Sequence, residues 1–109
     1  MTKIGNLNLT GVSGRTYTFN VWPLSSKFSN VSAVYAVTKR TAQGISANHT
    51  VVYIGQTSAL IERFDDHHKA NCFARNSANC LCVLRVNSKD DRLEIEADLI
   101  ANYNPTCNG

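Results

Sequence analysis

A small α+β domain, one antiparallel β-sheet flanked by helices, is the fold class this sequence predicts. Three observations carry it. Apolar and β-branched runs recur at 15–22 (RTYTFNVW), 33–39 (AVYAVTK), 50–54 (TVVYI) and 80–86 (CLCVLRV). Two further segments, after Gly55 and after Ser88, open on capping residues and continue with helix-compatible spacing. The chain has 109 residues, enough for one hydrophobic core and too few for two.

Each element follows from its residues. In 15–22, Tyr17 and Phe19 alternate with Thr16 and Thr18 as on a half-buried strand, until Pro23 and the Ser-rich stretch to Asn30 break the pattern. Residues 1–30 are therefore read as an N-terminal β extension packed on the same domain as residues 31–109. The runs 33–39 and 50–54 read as an antiparallel pair joined by a polar loop, TAQGISANH, which contains Gly44. Ser58 or Thr57 caps a helix reaching about Lys69, with Leu60, Ile61 and Phe64 on its apolar side. Residues 71–79 read as irregular or as one short helical turn, and 80–86 as the last strand. Ser88 caps a second, longer helix with Asp90 and Asp91 in its first turn, where the dipole favours anions, and Asn104-Pro105 ends it.

Composition narrows the function classes. With 43% hydrophobic and 17% charged residues the chain reads as an ordinary globule, and no apolar run approaches the ~20 residues of a membrane span. The segment MTKIGNLNLTGVSG lacks the apolar stretch of a signal peptide, so a cytoplasmic protein with no membrane partner is expected. In that reducing compartment Cys72, Cys80, Cys82 and Cys107 are expected as buried thiols ahead of metal ligands, and their spacing fits no standard zinc module. A structural zinc is not expected. Net charge is only +3, yet residues 1–61 carry Lys3, Arg15, Lys27, Lys39 and Arg40 with no acid, a mild basic surface for an anionic polymer.

Three local features suggest chemistry, each with an ordinary alternative. Leu93, Glu96, Ile100 and Tyr103 fall on one helical stripe, so Glu96 occupies a core-like position, costly unless paired or metal-bound, or else lies at the stripe's edge in reach of water. Arg63 and His67 stand four apart on a helix face, suited to bracing a phosphate and orienting water, or Arg63 simply pairs with Asp66. Tyr35 and Tyr53 lie inside adjacent strands, the second followed directly by Ile54-Gly55, where tyrosines commonly serve packing.

Taken together, these pieces resemble the GIY-YIG nuclease superfamily. Ala33-Val34-Tyr35, Tyr53-Ile54-Gly55, Arg63 and the series Glu96, Leu99, Ile100, Tyr103, Pro105 and Asn108 stand in that family's order and spacing, over roughly residues 31–108. The resemblance implies a metal-dependent DNA endonuclease leaving 5′-phosphate and 3′-hydroxyl ends. It implies Tyr35 as general base or positioner of the attacking water and Tyr53 as holder of water and phosphate. It further implies Arg63 and an assisting His67 at the phosphate, and Glu96 as protein ligand of one Mg²⁺ or Mn²⁺. Gly55 and Asn108 would support the site.

The sequence departs from that pattern in three places. The first motif reads AVY, and the loop between the motifs is longer than usual, which brings Lys39, Arg40 and His49 forward as nucleic-acid contacts. Acidic neighbours surround Arg63 (Glu62, Asp65 and Asp66), which favours single-stranded or structured DNA over plain duplex. On such a substrate bases could stack on Tyr17, Phe19, Trp22 or Phe28 where these are exposed. With no recognition module in this sequence, structure-directed or weakly specific cutting is expected, alone or with a delivering protein partner. The alternative is a non-catalytic nucleic-acid-binding module of the same fold.

Overall fold

The computed structural model describes residues 3–43, 46–65 and 67–108. Five strands, β1 (Gly5–Thr10), β2 (Thr16–Pro23), β3 (Ala33–Gln43), β4 (Ser46–Thr57) and β5 (Cys80–Arg85), form one antiparallel sheet in the order β1-β2-β5-β3-β4. Two short helices, α1 (Leu60–Asp65) and α2 (Ala70–Arg75), connect β4 to β5, and α3 (Lys89–Tyr103) follows β5. A single 3₁₀ turn at Thr106–Asn108 comes last among the described residues. The α+β class with helices flanking an antiparallel sheet is the one the sequence predicts.

Strand alternation divides the core in two. Ala33, Tyr35, Val37, Tyr53, Leu81 and Val83 share one face, covered by Leu60 of α1, Phe73 of α2 and Cys107 of the terminal turn. Val34, Ala36, Ile54, Cys80 and Cys82 share the other with Phe19 and Val21, covered by Leu9 and by Leu99 of α3. Burying each large apolar side chain here stabilises the fold by roughly 1.5–3 kcal/mol. The two N-terminal strands belong to this sheet, because β2 pairs with β5 from Asn20↔Val83 to Pro23↔Cys80.

Several expectations need correcting. The polar segment 41–49 is mostly strand: Thr41 pairs with Asn48, Ala42 with Ala47 and Gln43 with Ser46. Its backbone groups satisfy one another whatever the side chains are, so a polar two-sided ladder extends the hairpin. Gly44 lies outside the described residues. The first helix does not run to Lys69 but ends at Asp65, and a new short helix begins at Ala70. Between them His67 turns its ring into the core and accepts the Lys69 N–H at Nδ1 (3.0 Å), a local bond that replaces helical continuation. At the start of the segment, Thr57 Oγ1 accepts the Ala59 N–H at 3.0 Å.

The second helix starts as expected, with the Asp91 N–H donating to Ser88 Oγ at 3.3 Å, and ends at Asn104 in a left-handed conformation. Its inward face, however, is rotated by about one position. Arg92 and Leu99 are buried with Ile95, Ile100 and Tyr103 packed nearby, whereas Leu93 is 42% exposed. Arg92 is tolerated because its guanidinium donates to the carbonyls of Val86 (3.0 Å) and Asn87 (2.8 Å) and to Gln56 Oε1 (3.1 Å). Asp98 is not a merely solvated acid. It accepts from Ser13 N–H (2.9 Å), Ser13 Oγ (2.7 Å) and Tyr17 Oη (2.8 Å), and the Ser13 bonds hold its carboxyl below the ordinary carboxylate range. This network ties the β1–β2 hairpin to α3.

The cysteines divide into two kinds. Cys72 of α2 and Cys107 of the terminal turn form a disulfide, which corrects the expectation of buried thiols for this pair. The two lie 35 residues apart and meet because α2 and the turn cover the same sheet face. Cys80 and Cys82 are buried free thiols; burial pushes Cys82 up to about 12, so neither is poised as a nucleophile.

Candidate active site

The site is built on the middle of β3 and β4. Tyr35 pairs directly with Gly55, and Val37 with Tyr53. The register then shifts so that Thr38 pairs with Val51, leaving Val52 as an extra residue. This bulge lets Tyr53 share the Tyr35 face while Val51 packs on the opposite one. The two tyrosine rings lie 6.0 Å apart. Gly55 lies against both: a Cβ there would meet Tyr35 Oη at 2.5 Å and Tyr53 Cε2 at 2.9 Å. Gly55→Ala should therefore push the phenols from position and cost roughly 1–3 kcal/mol of stability. Thermal melts and near-ultraviolet circular dichroism check it; an unchanged melt and tyrosine signal would contradict the packing.

His67 completes the buried group. Its ring centroid lies 6.0 Å from Tyr35, 5.2 Å from Tyr53 and 5.1 Å from Phe64. Because Nδ1 accepts the Lys69 N–H, the neutral ring carries its proton on Nε2. Nε2–H then donates to Tyr35 Oη at 2.9 Å, leaving the tyrosine's own proton free to point elsewhere. Desolvation, with His68, Arg63 and Lys69 nearby, lowers His67 to about 4, so the ring is neutral at physiological pH.

That shift carries a stability consequence. The unfolded chain takes up a proton on His67 near pH 6.5, whereas the folded chain resists until about pH 4. The full stability is thus present above pH 6.5 and is lost as pH falls through this window, by about 1–3 kcal/mol for this residue. Denaturant melts from pH 7.5 to 4 check it: wild type should lose more stability over that range than His67→Gln. Parallel curves would contradict a buried neutral imidazole.

Arg63 and Glu96 add charge at the edge of this group. Arg63, half-buried on α1, opposes the rise that burial imposes on Tyr35, Tyr53 and Glu96, so its guanidinium is felt by all three. Burial raises the pKa of Tyr35 strongly and that of Tyr53 as well, and the Tyr35 hydroxyl and Arg63 counteract the rise at Tyr53. Glu96 is half-buried on α3; desolvation raises its pKa, while Arg63 and the Gln56 backbone N–H lower it. Arg63 and Glu96 form no direct ion pair among the described residues. Asp66, the other acid considered for Arg63, lies outside the described residues.

Asn108 closes the open edge of β4. The Ile54 N–H donates to its Oδ1 and its Nδ2 donates to the Ile54 carbonyl, both at 2.8 Å, so the amide acts as a short extra strand beside Tyr53 and Gly55. The disulfide at Cys107 anchors the turn that presents it.

Tyr35, Tyr53, Gly55, Arg63, His67, Glu96 and Asn108 are thus brought together. Lys39, Arg40 and His49 are not. They lie towards the far end of the β3–β4 hairpin, on the order of 13–17 Å along the strand from Tyr35. His49 bonds Thr38 through Nδ1 at 2.8 Å, and Asn79 pairs with the backbone N–H and carbonyl of Arg40. Two site neighbours escaped the sequence reading. Phe64 packs edge-on against Tyr35 at 5.1 Å, and His68 stacks on His67 at 4.9 Å. Phe64 was legible only as an apolar helix position, and nothing in the spacing marks His68.

Among the described residues no group of three or more His, Cys, Asp or Glu side chains could hold a metal ion, and Glu96 is the carboxylate ligand candidate beside the tyrosines. That donor fits a hard divalent cation that keeps most of its water, and does not fit a zinc cage. No protein-family model, no curated protein and no solved structure matches the chain.

Proposed function

We propose that the protein is a metal-dependent endonuclease of the GIY-YIG type that hydrolyses phosphodiester bonds in single-stranded or structured DNA. The observation that carries the reading is the convergence of Tyr35, Tyr53 and His67 over Gly55, with the Arg63 charge reaching both phenols and Glu96. Six different segments of chain supply these groups and the Asn108 brace. A packing core has no need for that collection of charge at its rim.

In the proposed mechanism Arg63 binds the scissile phosphate and stabilises the charge that grows on it, a guanidinium being unable to lose its proton. His67 fixes Tyr35 by donating to its oxygen, and the hydroxyl of the fully buried Tyr35 in turn steadies Tyr53, whose pKa it eases. With its pKa strongly raised, Tyr35 stays a phenol at neutral pH and acts as a positioner. Tyr53, nearer solvent at 8% exposure and eased by both Tyr35 and Arg63, is better suited to act as base, taking the proton from water as phenolate after its own proton has passed to solvent. Glu96 would hold one Mg²⁺ or Mn²⁺, which when bound offsets charge at the phosphate and at the leaving 3′ oxygen. A cytoplasmic setting would supply Mg²⁺ for this chemistry, with the Cys72–Cys107 bridge open there.

The test is cleavage of end-labelled single-stranded, duplex and branched DNA with Mg²⁺ or Mn²⁺. Cutting of the single-stranded or branched forms ahead of duplex, with 5′-phosphate ends, is the expected result. Binding of all three without cutting would leave the non-catalytic module of the same fold.

A further inference from the structure

Beside the candidate active site lies a cleft of about 410 Å³ lined by Leu24, Ser26, Lys27, Phe28, Ile61 and Phe64. Its size falls within the range of sites that take small planar ligands. Its position is set by Phe64, which lines the cleft while packing on Tyr35 and His67, both at 5.1 Å. An occupant would therefore touch the same side chain that supports the reacting tyrosine.

Three features define what the cleft fits. Two aromatic rings, Phe28 and Phe64, are both only half-buried, and Phe28 is supported edge-on by Trp22 at 6.3 Å. Lys27 supplies an exposed cation at the lining, with no acidic residue among the described lining side chains. Ser26 is 9% exposed, and its hydroxyl is the one buried side-chain polar atom without a partner among the described residues. A flat aromatic with hydrogen-bonding edges and an attached anion satisfies all three at once. A purely apolar ligand leaves Lys27 and Ser26 unused, and a free phosphate leaves the rings unused.

We infer that this cleft binds one unstacked base of a DNA single strand, between Phe28 and Phe64, with Lys27 on the adjoining phosphate. The inference rests on the nuclease reading and names the form of its substrate. A base inside a duplex cannot enter without leaving its stack, so the cleft favours single-stranded and locally opened DNA. Of the four aromatics that the sequence offers for stacking, only Phe28 serves: Phe19 is fully buried, Trp22 supports Phe28 from behind, and Tyr17 is bonded to Asp98.

The test measures binding separately from cutting. Wild type is titrated in EDTA with an eight-nucleotide oligothymidylate and with the same length of abasic phosphate backbone, at two salt concentrations. Expected are weaker abasic binding by about 5- to 100-fold and a similar loss for Phe28→Ala on the oligothymidylate. Lys27→Ala should reduce the salt slope by about one. Since Phe28 contributes to packing, Ile61→Glu is the second variant: Ile61 is 37% exposed, and a carboxylate there should repel the strand without disturbing the fold. In wild type, amide NMR shifts on titration should centre on residues 26–28 and 61–64. Equal affinity for the two oligomers, or shifts that avoid these residues, overturns the cleft. Base-dependent binding in a protein that cuts nothing would uphold the cleft and remove the nuclease reading, whereas cutting with base-independent binding would do the reverse.

Discussion

Glu96→Ala should lower the rate of Mg²⁺-dependent cleavage by about a thousandfold or more while leaving the fold intact. A single charged group aimed at a developing phosphate charge is commonly worth a hundred- to a thousandfold, and Glu96 is here also the proposed anchor of the cation. The loss should exceed that of a binding residue because the described residues include no group of three or more potential ligands to hold the cation without it. Stability should change little or rise slightly, since removing a half-buried carboxylate relieves desolvation. Glu96→Gln separates the roles: it keeps the shape and the hydrogen-bonding capacity but not the charge, and should fail like alanine. The raised pKa of Glu96 adds a pH dependence. Activity should fall as pH drops through a value above that of an ordinary glutamate, because the protonated side chain no longer attracts a cation. Single-turnover rates with protein in excess, alongside circular dichroism, check all three statements, and a Glu96→Ala protein cutting within tenfold of wild type would contradict them.

Opening the Cys72–Cys107 bridge should give a large stability loss. A loop of 35 residues closed by a disulfide loses chain entropy in the unfolded state worth about 3–4 kcal/mol. For a chain of this length that corresponds to a fall in Tm of roughly 15 °C. The loss should reach the site as well. The bridge holds the turn that carries Asn108, and Asn108 pairs both backbone groups of Ile54 next to Tyr53 and Gly55. The Cys72→Ser, Cys107→Ser double variant should therefore melt earlier and cut more slowly, and reduced wild type should match it. Thiol titration of native, oxidised protein should find no rapidly reacting group, because Cys80 and Cys82 are buried. Equal melting temperatures for oxidised and reduced protein would contradict a bridge that braces the fold. In a reducing compartment the same bond is opened, so compartment and stability are coupled in this protein.

Much of the architecture could be read from local pattern. Period-two alternation marked β2, short apolar runs marked β3, β4 and β5, and the Ser88 and Asn104-Pro105 signals bounded α3 closely. What failed depended on distant contacts. The polar arm of the β3–β4 hairpin is held by backbone pairing, which side-chain polarity does not report. The first helix broke at His67 because the ring is drawn into the core by Tyr35, 32 residues earlier. The rotation of α3 was hidden because Arg92 looks like a surface residue until the carbonyls of Val86 and Asn87 are placed beside it. Likewise Cys72 and Cys107 have no spacing rule that joins them; only the shared sheet face does.

The site residues were legible as a set and not one at a time. Each of Tyr35, Tyr53, Arg63 and Glu96 has an ordinary packing or surface role available, and only their order suggested one centre. Geometry then sharpened the roles. The Nδ1 bond from Lys69 fixes which nitrogen of His67 faces Tyr35, something no sequence pattern contains. The separation of Lys39, Arg40 and His49 from the centre was equally invisible, since a hairpin arm can fold towards a site or away from it.

The most direct measurement is the rate of cutting of a 5′-labelled single strand with Mg²⁺, for wild type and Arg63→Ala, with product ends identified. Arg63 is the group whose charge reaches Tyr35, Tyr53 and Glu96 alike, so one substitution questions the whole centre. Wild type should yield 3′-hydroxyl and 5′-phosphate ends, and Arg63→Ala should fall by at least about a hundredfold with its fold retained. Arg63→Ala cutting as fast as wild type, or wild type failing to cut in either metal, would contradict a single phosphodiester-cleaving centre built from these residues.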